Sequence, residues 1–470
     1  MGDPAAALSI ADPMRVANPR TWPSMLLVAA VAAALGCGNK GAAGAPGPAP
    51  APTIPAAAPG PGAAPAASPA AAPPAPPPIA APPPPAPARP GADFTTEAKQ
   101  LFREVACGTR EPIADAARAK VVDKHCAWVD AQLGRYRDNY VVGARGFFDA
   151  LVPDDVPRTV VYPFGGGDLI SALVAFPDAD EITTISLEQA GDPRRIGELT
   201  PAQLGDSLGQ LRGQLGGTLS VGSNTSENLS SSQRNDLPAQ VSSFLLGLAA
   251  NGFEPVGMRF IRLEADGALH YLTADEIAAI ETAAAEARAR AKGKDKAKAA
   301  KGKARKHDWL DPNFSEAFAN VEIEYRRAGD PSDRVRVHRH FGWNLRDADL
   351  VKHPELMAHL AGKGKVAGLV KGASYLLWRN DFSTMRDYLL GHIAWMLSDS
   401  TGIPPLYARK AGMVQVTYGQ FTGPFLEGAS PKHSEEFKAL WEANPMRRLP
   451  VRFGYVDAEK HPHLVVTRPK

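Results

Sequence analysis

Of the chain's 44 prolines, 20 lie between Gly41 and Pro90, in runs such as PPAPPPIAAPPPPAPARP, and this tract divides the sequence before any other feature does. Proline lacks a backbone N–H and alanine carries too little side chain to pack, so such a stretch forms an extended polyproline II spacer. At about 3.1 Å per residue, fifty residues of it reach on the order of 150 Å. Folding into a core is thereby confined to residues 93–470, where aromatic and aliphatic content is ordinary and long enough to bury a substantial interior.

Ahead of the tract, Arg15 and Arg20 form a basic region, and Met25 to Leu35 form an apolar run of eleven residues. That run is too short for a stable transmembrane helix and reads as a secretion signal, with Met14 an equally good start. The following ALGC resembles the lipobox of bacterial lipoproteins, in which the cysteine, here Cys37, is lipidated and becomes the mature N-terminus. Ala34 stands where that motif prefers Leu. Gly38 after the cysteine, instead of Asp, resembles lipoproteins passed on to an outer membrane. The expected organisation is a signal with lipobox over 1–37, a disordered tether over 38–92 and a single domain over 93–470. Its first partner is a membrane, reached through the N-terminal lipid.

The two other cysteines, Cys107 and Cys126, fall in the helical patterns TTEAKQLFREVAC and AARAKVVDKHCAWVDAQLGRYRDNY. In an oxidising envelope compartment this pair is expected to staple a helical N-terminal hairpin over 93–150. Charge is unevenly placed: Arg288 to Lys306 carries ten basic residues and one Asp, a net of +9, which leaves about −7 elsewhere in a chain of net charge +2. With no apolar stripe, the run reads either as a solvated basic insertion or as a surface that attracts an anionic envelope polymer or lipid. No aromatic platform is interleaved with the lysines, which argues against nucleic acid.

From Val156 the pattern becomes α/β. RTVVYPF, LISALVAF and EITTISLE predict a Rossmann-like βαβ unit within a mixed sheet. TPAQLGDSLGQLRGQL and PAQVSSFLLGLAANG read as helices, with Gly252 closing the second. EPVGMRFIRLEADGALHYL reads as a strand pair around Asp266-Gly267, and NVEIEYRR and DRVRVHRHFGWNL as two more strands. KVAGLVKGASYLLWR is expected to be a long buried strand. DFSTMRDYLLGHIAWMLSDSTGIPP is expected to be one helix, capped by Asp381 or Ser383, with Phe382, Met385, Leu389, Ile393 and Met396 inward. MVQVTYGQF, FKALWEAN, VRFGYV and LVVT close the domain as strand, helix and two short strands.

Between the first predicted strand and helix stand Gly165, Gly166, Gly167 and Asp168. A strand running through glycines into a helix is a ready anion site. Glu188 follows at the distance where dinucleotide-binding domains place a ribose-binding carboxylate. The layout is similar to that of S-adenosylmethionine-dependent methyltransferases and nucleotide binders, although neither G-x-G-x-x-G nor G-x-G-x-G is present. The competing reading is that the glycines permit the turn and Asp168 caps the helix. An envelope address decides against a soluble cofactor, since S-adenosylmethionine, NAD and ATP are essentially absent there. No cofactor is expected, and the turn is left to line a pocket for some anionic or polyol ligand.

Other constellations are weaker. Lys371 and Ser374 reverse the S-x-x-K order of acylating enzymes, and DSTG at Asp399 interrupts the triplet of aspartic proteases and is better explained as the termination of a helix. His338 with His340, and His461 with His463, lack the further ligands that a metal site needs. Should the domain be an enzyme, its candidates are Tyr162, Asp168, Glu188, Lys371, Ser374, Arg386 and Asp399. YPFGGGD, SLEQAG, KGASYLLW, DFSTMR and DSTGIP together resemble blocks of a family of uncharacterised bacterial secreted proteins and lipoproteins, in the same order and across most of Asp154 to Val456. That resemblance implies an envelope location and one shared domain, and it implies nothing about chemistry. The expected function is a lipid-anchored envelope protein with a binding or assembly-supporting domain; the alternative is an enzyme with its pocket at the glycine turn.

Overall fold

The computed structural model describes residues 90–219, 236–299, 315–423, 431–455, 457 and 459–470. The signal, Cys37 and the Pro/Ala tether lie outside these, as do the polar stretch 220–235 and the end of the basic run. Three helices come first: α1 (Thr95–Glu104), α2 (Ala116–Tyr136) and α3 (Val142–Leu151), the last two joined through a π-helical turn at Arg137–Val141. Asp115 starts α2 by accepting from the N–H groups of Ala117 and Arg118, and Cys107 and Cys126 are joined as a disulfide. Leu101, Val129 and Phe148 from these helices are buried in the same core cluster as the sheet, so the hairpin is part of the domain's interior.

The sheet has ten strands. In chain order the remaining elements are β1 (Thr159–Pro163), α4 (Leu169–Ala175), β2 (Glu181–Ser186), α5 (Pro201–Leu219), α6 (Ala239–Ala250), β3 (Phe253–Leu263), β4 (Leu269–Tyr271) and α7 (Ala274–Ala299). There follow β5 (Val321–Arg327), β6 (Arg336–Gly342), α8 (Asp347–Leu350), α9 (Glu355–Ala361), β7 (Val366–Val370), α10 (Ser383–His392) and β8 (Ile393–Ser398). The last are α11 (Pro405–Lys410), β9 (Met413–Gly419), α12 (Pro431–Ala443) and β10 (His463–Pro469). Their lateral order is β4-β3-β5-β6-β2-β1-β7-β8-β10-β9. The middle five, β6-β2-β1-β7-β8, are parallel, and antiparallel strands flank them on both sides.

Parallel strands need both faces covered. Val160, Tyr162 and Ile182 face α1 to α6 on one side, while Val161, Ile185 and Phe341 face α8 to α11 on the other. β1 and β2 pair in parallel around α4, Val160 opposite Ile182. The chain moves one way from β1 to β2 and the other way from β7 to β8, so strand order reverses at the β1/β7 boundary.

Four sequence expectations fail. KVAGLVKGASYLLWR is not one strand: β7 ends at Val370, Gly372 turns with φ 65°, and Gly372–Trp378 winds as a 3-10 helix. DFSTMRDYLLGHIAWMLSDS is not one helix: α10 stops at His392 and Ile393–Ser398 enters the sheet between β7 and β10. An apolar run such as IAWML satisfies either period, and sheet pairing on two sides outweighs its local preference. Neither Asp381 nor Ser383 caps α10 with its side chain; Asp347 accepts from the N–H groups of Ser383 (3.1 Å) and Thr384 (3.0 Å) instead. The segment VRFGYV forms no strand among its described residues, although Val451 and Phe453 are buried in the core.

Candidate functional site at the carboxyl ends of the parallel strands

The glycine turn is packed, not open. Gly165, Gly166 and Gly167 are buried, and the Gly165 N–H donates to the Ile185 carbonyl at 3.2 Å, tying the turn to β2. Gly166 sits at φ 51°, in the left-handed region that favours glycine. A Cβ at Gly167 would lie 2.8 Å from Gln240 Oε1 and 2.9 Å from Ser243 Cβ, so the glycine is there to let α6 approach. All three glycines are covered by neighbouring atoms, and α4 is only seven residues long.

Asp168 occupies the N-cap position of α4 but makes no side-chain cap bond, which corrects the capping expectation. Its carboxylate accepts from the Tyr162 hydroxyl at 2.8 Å and the Ser171 hydroxyl at 2.7 Å, and the Lys371 ammonium lies 2.7 Å away. Lys371 also donates to Ser171 Oγ at 2.7 Å. Charge-assisted bonds of this kind outweigh a cap contribution of about 1 kcal/mol. The side chains of Lys371 and Asp168 are only 13 % and 9 % exposed. Burial, reinforced by the Asp168 carboxylate, holds the Tyr162 phenol far above its ordinary pKa, so Tyr162 acts as a neutral donor and not as a base.

Asp399 ends β8 one strand further on and is fully buried. It accepts from the N–H groups of Thr401 (2.8 Å), Tyr455 (3.1 Å) and Gly372 (3.3 Å), as well as from the Thr401 hydroxyl. Its work is to fix the backbone just after Lys371, and helix termination, the sequence reading of DSTG, does not apply because a strand precedes it. Glu188 lies two residues beyond β2, half-buried, its carboxyl raised above the usual range by burial. Tyr162, Asp168, Glu188, Lys371 and Asp399 therefore all stand at the carboxyl end of the parallel strands. Arg386 does not join them: it donates to the carbonyls of Leu377 (2.9 Å) and Arg379 (3.1 Å) from beneath the Tyr407 ring. Ser374 belongs to the 3-10 helix after β7, not to a strand, and its side chain lies outside what the structure describes.

Three of the four paired histidines are interior, and His461 is half-buried with its Nδ1 3.1 Å from Asp457. His340 Nε2 is 2.7 Å from the Glu188 carbonyl, which can only accept, so the ring proton is on Nε2. Nδ1 then accepts from Thr184 Oγ1 (2.9 Å), which in turn accepts from His338 Nε2 (2.9 Å). Both rings are fully buried under Phe244, and burial lowers the His340 pKa to about 4 and that of His338 further. His463, also fully buried, contacts Ser400 Oγ at 2.9 Å through Nε2 and the His461 carbonyl at 3.1 Å through Nδ1. Phe421 and Trp441 pack against the His463 ring, so this serine–histidine contact is enclosed. Among the described residues, no group of three or more His, Cys, Asp or Glu is arranged to hold a metal ion.

An open cleft of about 520 Å³ lies among segments that follow β7 and β8, lined by Trp378, Arg379, Asp381, Tyr407, Lys432 and His433 among others. Apart from Asp381, read only as a helix cap, none of its lining residues stood out in the sequence, because they are scattered over the turns after β7, α11 and α12. Ser171 was missed for the same reason: a serine inside a short helix carries no signal until Lys371 is beside it. The chain matches no family model, and no curated protein and no solved structure matches it.

Proposed function

We propose that the protein is a bacterial lipoprotein held at the cell envelope through Cys37 and the Pro/Ala tether, and that its α/β domain binds a small polar ligand beside the carboxyl ends of β1, β7 and β8. The observation that carries the binding reading is the reversal of strand order between β1 and β7. In open α/β sheets ligands bind outside the carboxyl ends of the strands at such a switch point. Here the Asp168–Lys371 pair, the Asp399 anchor and the cleft gather at that end. The buried glycines weigh against an enzyme that grips a nucleotide or S-adenosylmethionine at the turn.

The anchor reading is supported by the basic start, the apolar run, ALGC and the tether, in that order along the chain. Its resemblance to the family of secreted proteins and lipoproteins points the same way. The basic run 288–306 adds attraction to anionic lipid or polymer, to be read as salt-sensitive vesicle binding. Metabolic labelling with an alkyne fatty acid tests the anchor: the label appears on the wild type and is lost in Cys37→Ala. Thermal shift of the detergent-extracted chain against a panel of sugars, sugar acids, sugar phosphates and amino acids tests the domain. A flat response across the panel would remove the binding reading.

A further inference from the structure

The cleft beside β7 and β8 has a composition that selects its ligand. Arg379 is held at both ends: its carbonyl accepts from Arg386 Nη1 at 3.1 Å, and its guanidinium donates to Asp381 through Nε (2.9 Å) and Nη2 (3.2 Å). Asp381 is shared with Arg346 at 3.0 Å, so its single charge already faces two guanidinium groups. Lys432 stands in the first turn of α12, where the helix dipole adds positive potential and no acidic residue offsets it. Among the described residues Lys432 has no ion-pair partner. Glu435 and Glu436 follow three and four positions on, and Glu436 accepts from the Leu406 N–H at 3.2 Å and lies 3.4 Å from His433 Nδ1. The cleft's own lining carries Arg379 and Lys432 against Asp381, one positive charge in excess.

The walls are aromatic and fixed. The Trp378 indole N–H donates to the Gly402 carbonyl at 3.0 Å and the ring stacks on Phe437 at 5.8 Å. Tyr407 is backed by the Arg386 guanidinium, 4.0 Å from its ring centroid. Asn380 adds an amide able to meet hydroxyl groups. A volume of about 520 Å³ suits a monosaccharide-sized ligand.

We propose that this cleft binds a small acidic sugar derivative, its carboxylate or phosphate against Arg379 and Lys432 and its ring against the wall formed by Trp378, Tyr407 and His433. The inference rests on the reading of the domain as a ligand-binding module, and it adds the pocket and the chemical class. The same anionic chemistry is offered by a sugar acid and by a sugar phosphate, so both are tested.

Isothermal titration of the detergent-extracted chain with glucuronate, glucose 1-phosphate, glucose and inorganic phosphate is the experiment. One or both acidic sugars are expected to bind, with glucose silent and binding weakened by added salt; which one binds identifies the source. Arg379→Met is expected to weaken binding roughly tenfold or more, since a charge-assisted bond is removed. Lys432→Gln, at an exposed lysine whose loss leaves the fold intact, weakens it less, and Lys99→Gln, exposed on α1 across the sheet, leaves it unchanged. A melting curve for each variant separates lost binding from lost folding. Glucose binding as tightly as glucuronate, inorganic phosphate binding as tightly as glucose 1-phosphate, or silence from all four probes overturns the inference. If binding survives Arg379→Met and disappears in Lys371→Met, the ligand sits at the strand ends; the cleft is then wrong and the binding module stands.

Discussion

Replacing Lys371 with methionine removes the cation that faces Asp168 at 2.7 Å and leaves that carboxylate, 9 % exposed, with two hydroxyl donors alone. Breaking a buried pair from one side costs about 3–5 kcal/mol, because the remaining charge keeps its desolvation cost without its partner. Asp168→Asn breaks the same pair from the other side by removing the carboxylate charge that faces the ammonium. Combining Asp168→Asn with Lys371→Met leaves no uncompensated charge, so the double variant is expected to fall short of the summed single costs by about 2 kcal/mol or more. Urea unfolding followed by tryptophan fluorescence and far-UV circular dichroism reads all four corners of the cycle. If Asp168 were merely a helix cap, Asp168→Asn would cost about 1 kcal/mol or less and Lys371→Met would be nearly neutral. Single costs that add to within about 0.5 kcal/mol would refute the coupled pair.

The buried His338–Thr184–His340 chain makes stability fall with acid. His340 titrates at about 4 in the fold because of burial, against 6.5 when free, so between those values the unfolded chain takes up a proton that the fold refuses. Its contribution is therefore retained above pH 6.5 and lost progressively as the pH drops to about 4, by a total of about 3 kcal/mol. A His340→Gln variant whose melting temperature declined over this range as steeply as that of the wild type would disprove it. Gly167→Ala, whose Cβ meets Gln240 and Ser243 within 2.9 Å, is expected to lose about 1–3 kcal/mol. Gly209→Ala, exposed in α5 with nothing within 4 Å, should instead gain up to about 1 kcal/mol, and urea midpoints compare the two. Removing the disulfide as Cys107→Ser with Cys126→Ser is expected to cost about 3 kcal/mol. Thiol alkylation of the unreduced chain checks the bond itself: two labelled thiols would show that it is not formed.

Local chemistry made much of the fold legible. RTVVYPF, LISALVAF and EITTISLE, separated by Gly165–Gly167 and by Pro177-Asp178, form β1, α4 and β2. Alternation in NVEIEYRR and RVRVHRHF, together with the Asp266-Gly267 turn, likewise fixed strands without reference to neighbours. Where the local signal was double, tertiary context decided. IAWML fits a helix face or a buried strand, and it became β8 because β7 and β10 offer backbone partners on both sides. KGASYLLW left the sheet because Gly372 turns at φ 65° and Asp399 holds its N–H.

The candidate site was legible as a set of residues but not as an arrangement. Asp168 carries every mark of a cap in the sequence, and its carboxylate turned elsewhere because Lys371 is beside it, donating to Ser171 from 200 positions further along the chain. That meeting depends on β7 lying next to β1, and strand order is set by how the two faces of the sheet bury their helices, a property of the whole interior. The sequence by itself set residues 41–90 apart by composition, marked the remainder as α/β, and named which side chains are chemically able to act. Only the tertiary structure decided which of them stand together, because side chains so far apart in the chain acquire a distance only when the sheet closes around them.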